Sequence, residues 1–354
     1  MKFGMTCDNV GHVGIVPMAE NLGYDFCWAF DTQLMRSNPW AVLALAAQQT
    51  RTIQLGTGVA VPSLRLAPVA ANSIATINRL APGRTFFGVG TGNTAMRTLG
   101  QAPTRIGDMA EYIRVMRGLL AGGEVDFTYE GSTHPIRFQN LDQDYIDIEN
   151  YIPIQVSGFG PRAQKLAGEL GDGVITGIPR GGAIAQVLAN ARAGAKAAGR
   201  TLGDDFECHA LVNLLLLQPG QTLESDAVIA QCGPSIMANV HFLVDWVKET
   251  GREPPDYVLP IWEEYLAFHE KRAAETAHQK LHEAHYSHID AEEARFITPE
   301  MIKTFCIAGQ PEEMIEQLTE LEKQGLTGIN FVAPFEQQYS LIEDFARRVV
   351  HKMK

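Results

Sequence analysis

The chain has 354 residues, 45% of them hydrophobic and 20% charged, and a formal net charge of −12. That is an ordinary globular composition with ample material for a large core, and the acidic balance speaks against nucleic acid as a partner, because phosphate backbones need a basic footprint. The five cysteines (Cys7, Cys27, Cys208, Cys232 and Cys306) are scattered and form no CxxC pair, so neither a disulfide framework nor a structural zinc site is expected, and a reducing cytoplasm is.

The opening MKFGMTCDNVGHVG has glycine and polar residues where a signal peptide needs an apolar stretch. No run approaches 18 apolar residues, so no membrane span is expected. In chain order, the candidate strands are Lys2–Thr6, Phe26–Phe30, Ile53–Val61, Thr85–Gly90, Ile154–Ser157, Gly173–Thr176, Cys208–Leu217 and Gly328–Ala333. They are apolar on both faces, as parallel strands covered by helices should be. The helices between them are well punctuated. Pro68, Pro161 and Pro311 stand at helix starts. Ile106, Met109, Ile113, Met116 and Leu120 form a helical stripe. Glu312, Glu313, Lys323 and Gly325 suit the two ends of one helix.

Eight strands alternating with helices predict an α/β fold of the (β/α)8 TIM-barrel type. The segments 123–150 and 218–300 interrupt the alternation. Without them roughly 240 residues remain, against about 250 in a typical barrel. One barrel domain over 1–354 with two insertions therefore fits better than two domains. The first insertion, with VDFTYEGSTHPIRF, reads as a short hairpin, and the second as mostly helical.

Three glycine-rich loops follow candidate strands. In FFGVGTGNTAMRTL, Gly90, Gly92 and Ala95 fit G-x-G-x-x-A. A dinucleotide fingerprint also needs an immediate helix and an acid at the end of the next strand. Here Glu111 lies inside a helix and Pro103 separates the glycines from that helix. The better reading is a cofactor loop at the mouth of the fourth strand, with a plain turn as the alternative. Gly90 and Gly92 permit close backbone approach, and Thr91, Asn93 and Thr94 add short polar side chains. In VSGFGPRAQKLAGELGDGV, a helix begins at Pro161 after Gly158-Phe159-Gly160. Its first free N–H groups and Arg162 make an anion site, or simply a capped helix. In IQLGTGVAVPSLRLAP, Arg65 serves an anionic group or an ion pair.

Taken jointly, these stretches and IAGQPEEMIEQLTELEKQGLTGINF resemble the bacterial luciferase-like superfamily of flavin-dependent oxidoreductases, in its methylenetetrahydromethanopterin reductase-like branch. The resemblance implies a flavin or deazaflavin at the strand C-termini. It places a non-prolyl cis bond at Gly58–Val59 behind the ring, and Gly90, Thr91, Gly92 and Asn93 along the ring and ribityl chain. It places Gly158, Phe159, Gly160, Pro161 and Arg162 at the phosphate, and it implies homodimers. Several reductases of this branch carry a histidine just after strand two, where this chain has Asp31-Thr32.

The remaining candidates are polar groups at strand ends. Asp8 and Asp31 stand as acid/base or substrate-binding residues, or as loop anchors. Thr176 is taken as a cofactor contact. Cys7 lines a pocket or is inert core. His278, His282 and His285 fall at i, i+4 and i+7, but the charged sequence around them reads as a solvated or lid helix, so no metal is expected. The leading expectation is an FMN-dependent, two-component monooxygenase acting on a small organic substrate, served by a separate flavin reductase. The alternative is a reductase or dehydrogenase using the 8-hydroxy-5-deazaflavin coenzyme (F-420) to transfer hydride, and the lesser alternative a non-catalytic flavin-binding protein.

Overall fold

Short apolar runs become parallel strands that close on one another. The computed structural model describes residues 1–178, 182–272 and 277–354. The strands are β1 (Lys2–Thr6), β2 (Phe26–Ala29), β3 (Gln54–Thr57), β4 (Thr85–Val89), β5 (Val125–Tyr129), β6 (Ser132–Ile136), β7 (Ile154–Ser157), β8 (Gly173–Gly177), β9 (Glu207–Leu216), β10 (Cys306–Gly309) and β11 (Gly328–Phe331). Pairing runs β1–β2–β3–β4–β7–β8–β9–β11 and returns to β1, all parallel. This is a closed eight-stranded (β/α)8 barrel. β5 and β6 form an antiparallel hairpin outside it, Val125 opposite Ile136.

Most strand boundaries fall within one or two residues of the sequence expectation, and two larger differences stand out. The third strand ends at Thr57, because the chain turns at a cis Gly58–Val59 peptide and only Ala60 returns to bridge Val89. β10 is a ninth strand of the sheet that the apolar pattern did not reveal. It pairs with the upper half of β9, Cys306 opposite Asn213 and Gly309 opposite Leu216, while the lower half of β9 pairs with β8 and β11.

Alternation along the strands separates two apolar layers. Cys27 and Ala29 on β2, Phe87 and Val89 on β4, and Val174 on β8 pack into the large cluster shared with the outer helices. Phe26, Trp28, Phe86 and Ile175, one residue out of phase, form a separate cluster inside the barrel. Glycines make room for those rings. A Cβ on Gly4 would lie 2.1 Å from the Phe26 ring, and one on Gly56 would lie 2.4 Å from Phe86.

The 218–300 insertion builds a core of its own from Val228, Ile236, Val240, Trp262, Tyr265 and Phe296. Its longest helix, Asp226–Thr250, qualifies by length and composition as a membrane span, with mean hydropathy 1.4 over its best window. Yet 67% of that window is buried in the fold, as expected of a core helix rather than a span.

His209 also lies inside the barrel, stacked on Phe26 with 4.6 Å between ring centres and 4° between planes. Burial pushes its pKa down to about 4, against the pull of the Glu207 carboxylate 3.4 Å away. As pH falls from about 6.5, the unfolded chain takes up this proton and the native ring does not, until the folded pKa is reached. Stability present above 6.5 is therefore lost as pH falls toward about 4, by about 3 kcal/mol for this ring. Thermal unfolding across that window is expected to show the decline, and His209→Leu to flatten it.

Candidate active site

The C-terminal ends of the barrel strands surround a cavity of about 520 Å³. Its floor is the cis Gly58–Val59 peptide with Phe30 and Leu211. Gly58 rests on the Trp28 indole, so close that a Cβ would lie 2.5 Å from it. The β4 loop supplies Gly90, Thr91, Gly92, Asn93 and Thr94. Gly92 has φ 73° and a Cβ there would lie 2.4 Å from Val61, so both conformation and space require glycine. Asn93 opens a short helix, and its Oδ1 accepts from Arg97 Nε at 2.7 Å.

The opposite wall is the β7 loop. Ser157, Phe159, Gly160, Pro161, Arg162 and Ala163 face the cavity. The helix Pro161–Leu170 makes its first backbone bond from Gln164 N to Gly160 O. The N–H groups of Arg162 and Ala163 precede that bond and Pro161 has none, so the helix presents donors and its positive end here. Gly158 is buried behind this wall, donating to Ile175 O, with no room for a Cβ beside Gln164 N.

These residues fit a flat ring system with a phosphate tail. Peptide planes and glycines back one region, and a helix N-terminus with free donors stands across the same cavity.

Other sequence candidates fall elsewhere. Thr176 is fully buried within β8 and does not line the cavity. Asp8 lies outside it too, paired with Arg36 Nε at 2.6 Å, and burial raises its pKa against that arginine. Cys7 is inert core; burial pushes its thiol up to about 11. Asp31 does line the cavity, but its carboxylate is ion-paired with Arg65. Burial still raises the Asp31 pKa, more than the arginine lowers it. Of the two readings of Arg65, the ion pair is the one found.

The roof comes from the long insertion: Ala238, Phe242, His282, His285 and Tyr286. The histidine stretch covers the cavity as the lid reading expects, but not as a solvated helix. Its helix, Ala277–Lys280, stops early, and 281–287 folds as turns, with Tyr286 at φ 57°. His282 and His285 turn inward toward His241, while His278 lies near Gly100. His282 is buried, not solvated. Residues 273–276 of this segment lie outside the described residues. Four histidines between 278 and 288 were the available signal. Arg36 fastens the roof to the rim, donating to Ser287 Oγ at 2.6 Å and His285 O at 2.7 Å. Arg97 does the same through a bidentate bond to Glu249 at 2.6 and 2.7 Å.

The sequence profile of the luciferase-like monooxygenases matches residues 11–328, most of the barrel and both insertions. The chain belongs to this luciferase-like family. Its members' oxidoreductase class is thereby assigned, and the chain is an enzyme of that class. It is 28% identical over 344 residues to the 5,10-methylenetetrahydromethanopterin reductase of Archaeoglobus fulgidus, covering 96% of this chain and 94% of that one. It is 37% identical over 210 residues to the F-420-dependent hydroxymycolic acid dehydrogenase of Mycobacterium tuberculosis, covering 55% and 57%. Among solved structures, the coenzyme F-420-dependent tetrahydromethanopterin reductase of Methanopyrus kandleri superposes with a TM-score of 0.72 at 22% identity, over 100% of this chain and 99% of that one. That last likeness is one of fold.

Proposed function

We propose that this luciferase-like protein is an F-420-dependent oxidoreductase exchanging hydride with a small organic substrate. The observation that carries the reading is the near end-to-end alignment with a methylenetetrahydromethanopterin reductase, supported by an F-420-dependent dehydrogenase among the relatives. The FMN monooxygenase expectation gives way to its alternative on this ground.

A bound deazaflavin supplies two-electron hydride chemistry, and the chain's own residues supply the setting. Gly58, Val59, Gly90 and Gly92 bring backbone against the ring. The helix start at Gly160–Ala163, with Arg162, holds a phosphate. Phe30, Met35, Ile106, Leu211 and Phe242 make the cavity predominantly apolar and exclude water. Asp31 and Arg36 are committed to ion pairs, so His282, His285 and Tyr286 are the titratable groups that the roof offers to a substrate.

Parallel fluorescence titrations with F-420 and with FMN test the assignment. F-420 is expected to bind at least about tenfold more tightly, a difference of about 1.4 kcal/mol. Tighter binding of FMN would restore the monooxygenase reading.

A further inference from the structure

We propose that His241, His282 and His285 form a binding site for a divalent transition metal of the zinc class at the roof of the cavity. One ring nitrogen from each histidine lies within 4.8 Å of one from each of the others. They come from two separate stretches of the insertion, the long helix and the 281–287 turns, so the cluster is a product of the fold and not of sequence spacing.

The chemistry around the rings is that of a metal site. Imidazole nitrogen suits zinc, cobalt, nickel and copper, and ligating histidines commonly turn their second nitrogen to a carboxylate. Here His241 Nε2 lies 3.2 Å from Glu293 Oε1 and His282 Nε2 lies 3.3 Å from Asp245 Oδ2. The phenol of Tyr265 donates to the same Glu293 oxygen at 2.9 Å. Two carboxylates thus orient two imidazoles. The Nδ1 atoms of His241 and His282 are buried and have no hydrogen-bond partner among the described residues. A buried ring nitrogen without a partner is costly unless something coordinates it.

The geometry is open by a small amount. A triangle with 4.8 Å sides has its centre about 2.8 Å from each corner, so each nitrogen needs to move inward by about 0.7 Å to reach the zinc–nitrogen distance of about 2.1 Å. His282 and His285 line the cavity, so a metal held by the three rings keeps its fourth position toward the substrate space. A substrate oxygen bound there is polarised without any protein acid. The proposal does not depend on which flavin the cavity takes.

Titration of the purified full-length protein with cobalt(II), after chelator treatment, tests it. One equivalent is expected to give the intense visible absorption of a four-coordinate cobalt site, displaced by zinc. His285→Ala, on the partly exposed turn, is expected to abolish that absorption, and His278→Ala, outside the cluster, to leave it intact. Glu293→Gln is expected to weaken zinc binding by about 10- to 100-fold. Circular dichroism and F-420 fluorescence report folding of each variant without reference to the metal. A folded wild-type protein with no cobalt absorption, or an absorption indifferent to His285→Ala, overturns the site and identifies the cluster as a hydrogen-bonded strut of the roof.

Discussion

Gly160→Asp is expected to raise thermal stability slightly and weaken cofactor binding by about a hundredfold. Gly160 precedes the helix Pro161–Leu170 with extended backbone, φ −121° and ψ 161°, and a Cβ there meets nothing within 4 Å. Aspartate therefore fits without strain. Its carboxylate accepts from the first N–H groups of the helix and faces the positive end of the dipole, a gain of a few tenths of a kcal/mol over glycine. The same carboxylate occupies the donors proposed to hold the cofactor's phosphate and repels it. Two charge-assisted hydrogen bonds at about 1.5 kcal/mol each amount to about 3 kcal/mol, or about two orders of magnitude in affinity. Gly160→Ala, which adds bulk but no charge, is expected to bind nearly as the parent does. Calorimetric melting and cofactor titration read the two effects separately. Unchanged affinity in the aspartate variant would remove the phosphate from this helix.

Arg65→Met is expected to cost about 3–5 kcal/mol at neutral pH, because it leaves the Asp31 carboxylate buried without its cation. The Asp31 side chain is 1% exposed and Arg65 is its ion-pair partner. Burial raises the Asp31 pKa above 3.8 even with the guanidinium present, and removal of that charge raises it further. For a carboxyl whose folded pKa is raised, the favourable contribution is complete below the unfolded value and disappears as pH rises through the folded one. The deficit of Arg65→Met relative to the parent is accordingly greatest at neutral pH and shrinks on acidification. Adding Asp31→Asn is expected to recover part of the loss at neutral pH and abolish the pH dependence of the deficit. Denaturant unfolding of the parent, single and double variants checks all three statements. A deficit that ignores pH would show that the cost lies in lost packing of Arg65 over Trp40, 5.9 Å from the ring centre.

The barrel was legible because its strands are short apolar runs bounded by glycine, proline and helical stripes, and that signal is local. The exceptions are non-local. Residue preference alone reads Ile53–Val61 as one strand, and only the family resemblance places within it the cis Gly58–Val59 peptide that the structure has. β10 is four residues, CIAG, directly after the helix Pro299–Phe305, and becomes a strand only because β9 extends far enough to pair with it. In the site, the glycine loops and the helix start at Pro161 announce themselves by residue type. Asp31 was visible as a strand-end carboxylate, but the arginine that fixes its charge lies 34 positions away. The roof is the part least legible in the sequence. The spacing of His278, His282 and His285 predicts one helical face in a stretch that folds largely as turns, and His241, the histidine that completes the cluster, sits 41 positions before His282.

The attachment of the roof carries an evolutionary consequence. The long insertion leaves the barrel at the top of β9 and re-enters through β10, and those two strands lie side by side: Cys306, where the chain re-enters, is opposite Asn213, three residues before β9 ends at Leu216. Its ends are therefore neighbours, stitched by main-chain bonds that any sequence can make. Such a unit can be exchanged like a cassette between barrels, bringing a new ceiling to an old floor. On the proposed function, such an exchange would replace the groups that face the substrate and leave in place the floor proposed to hold the coenzyme.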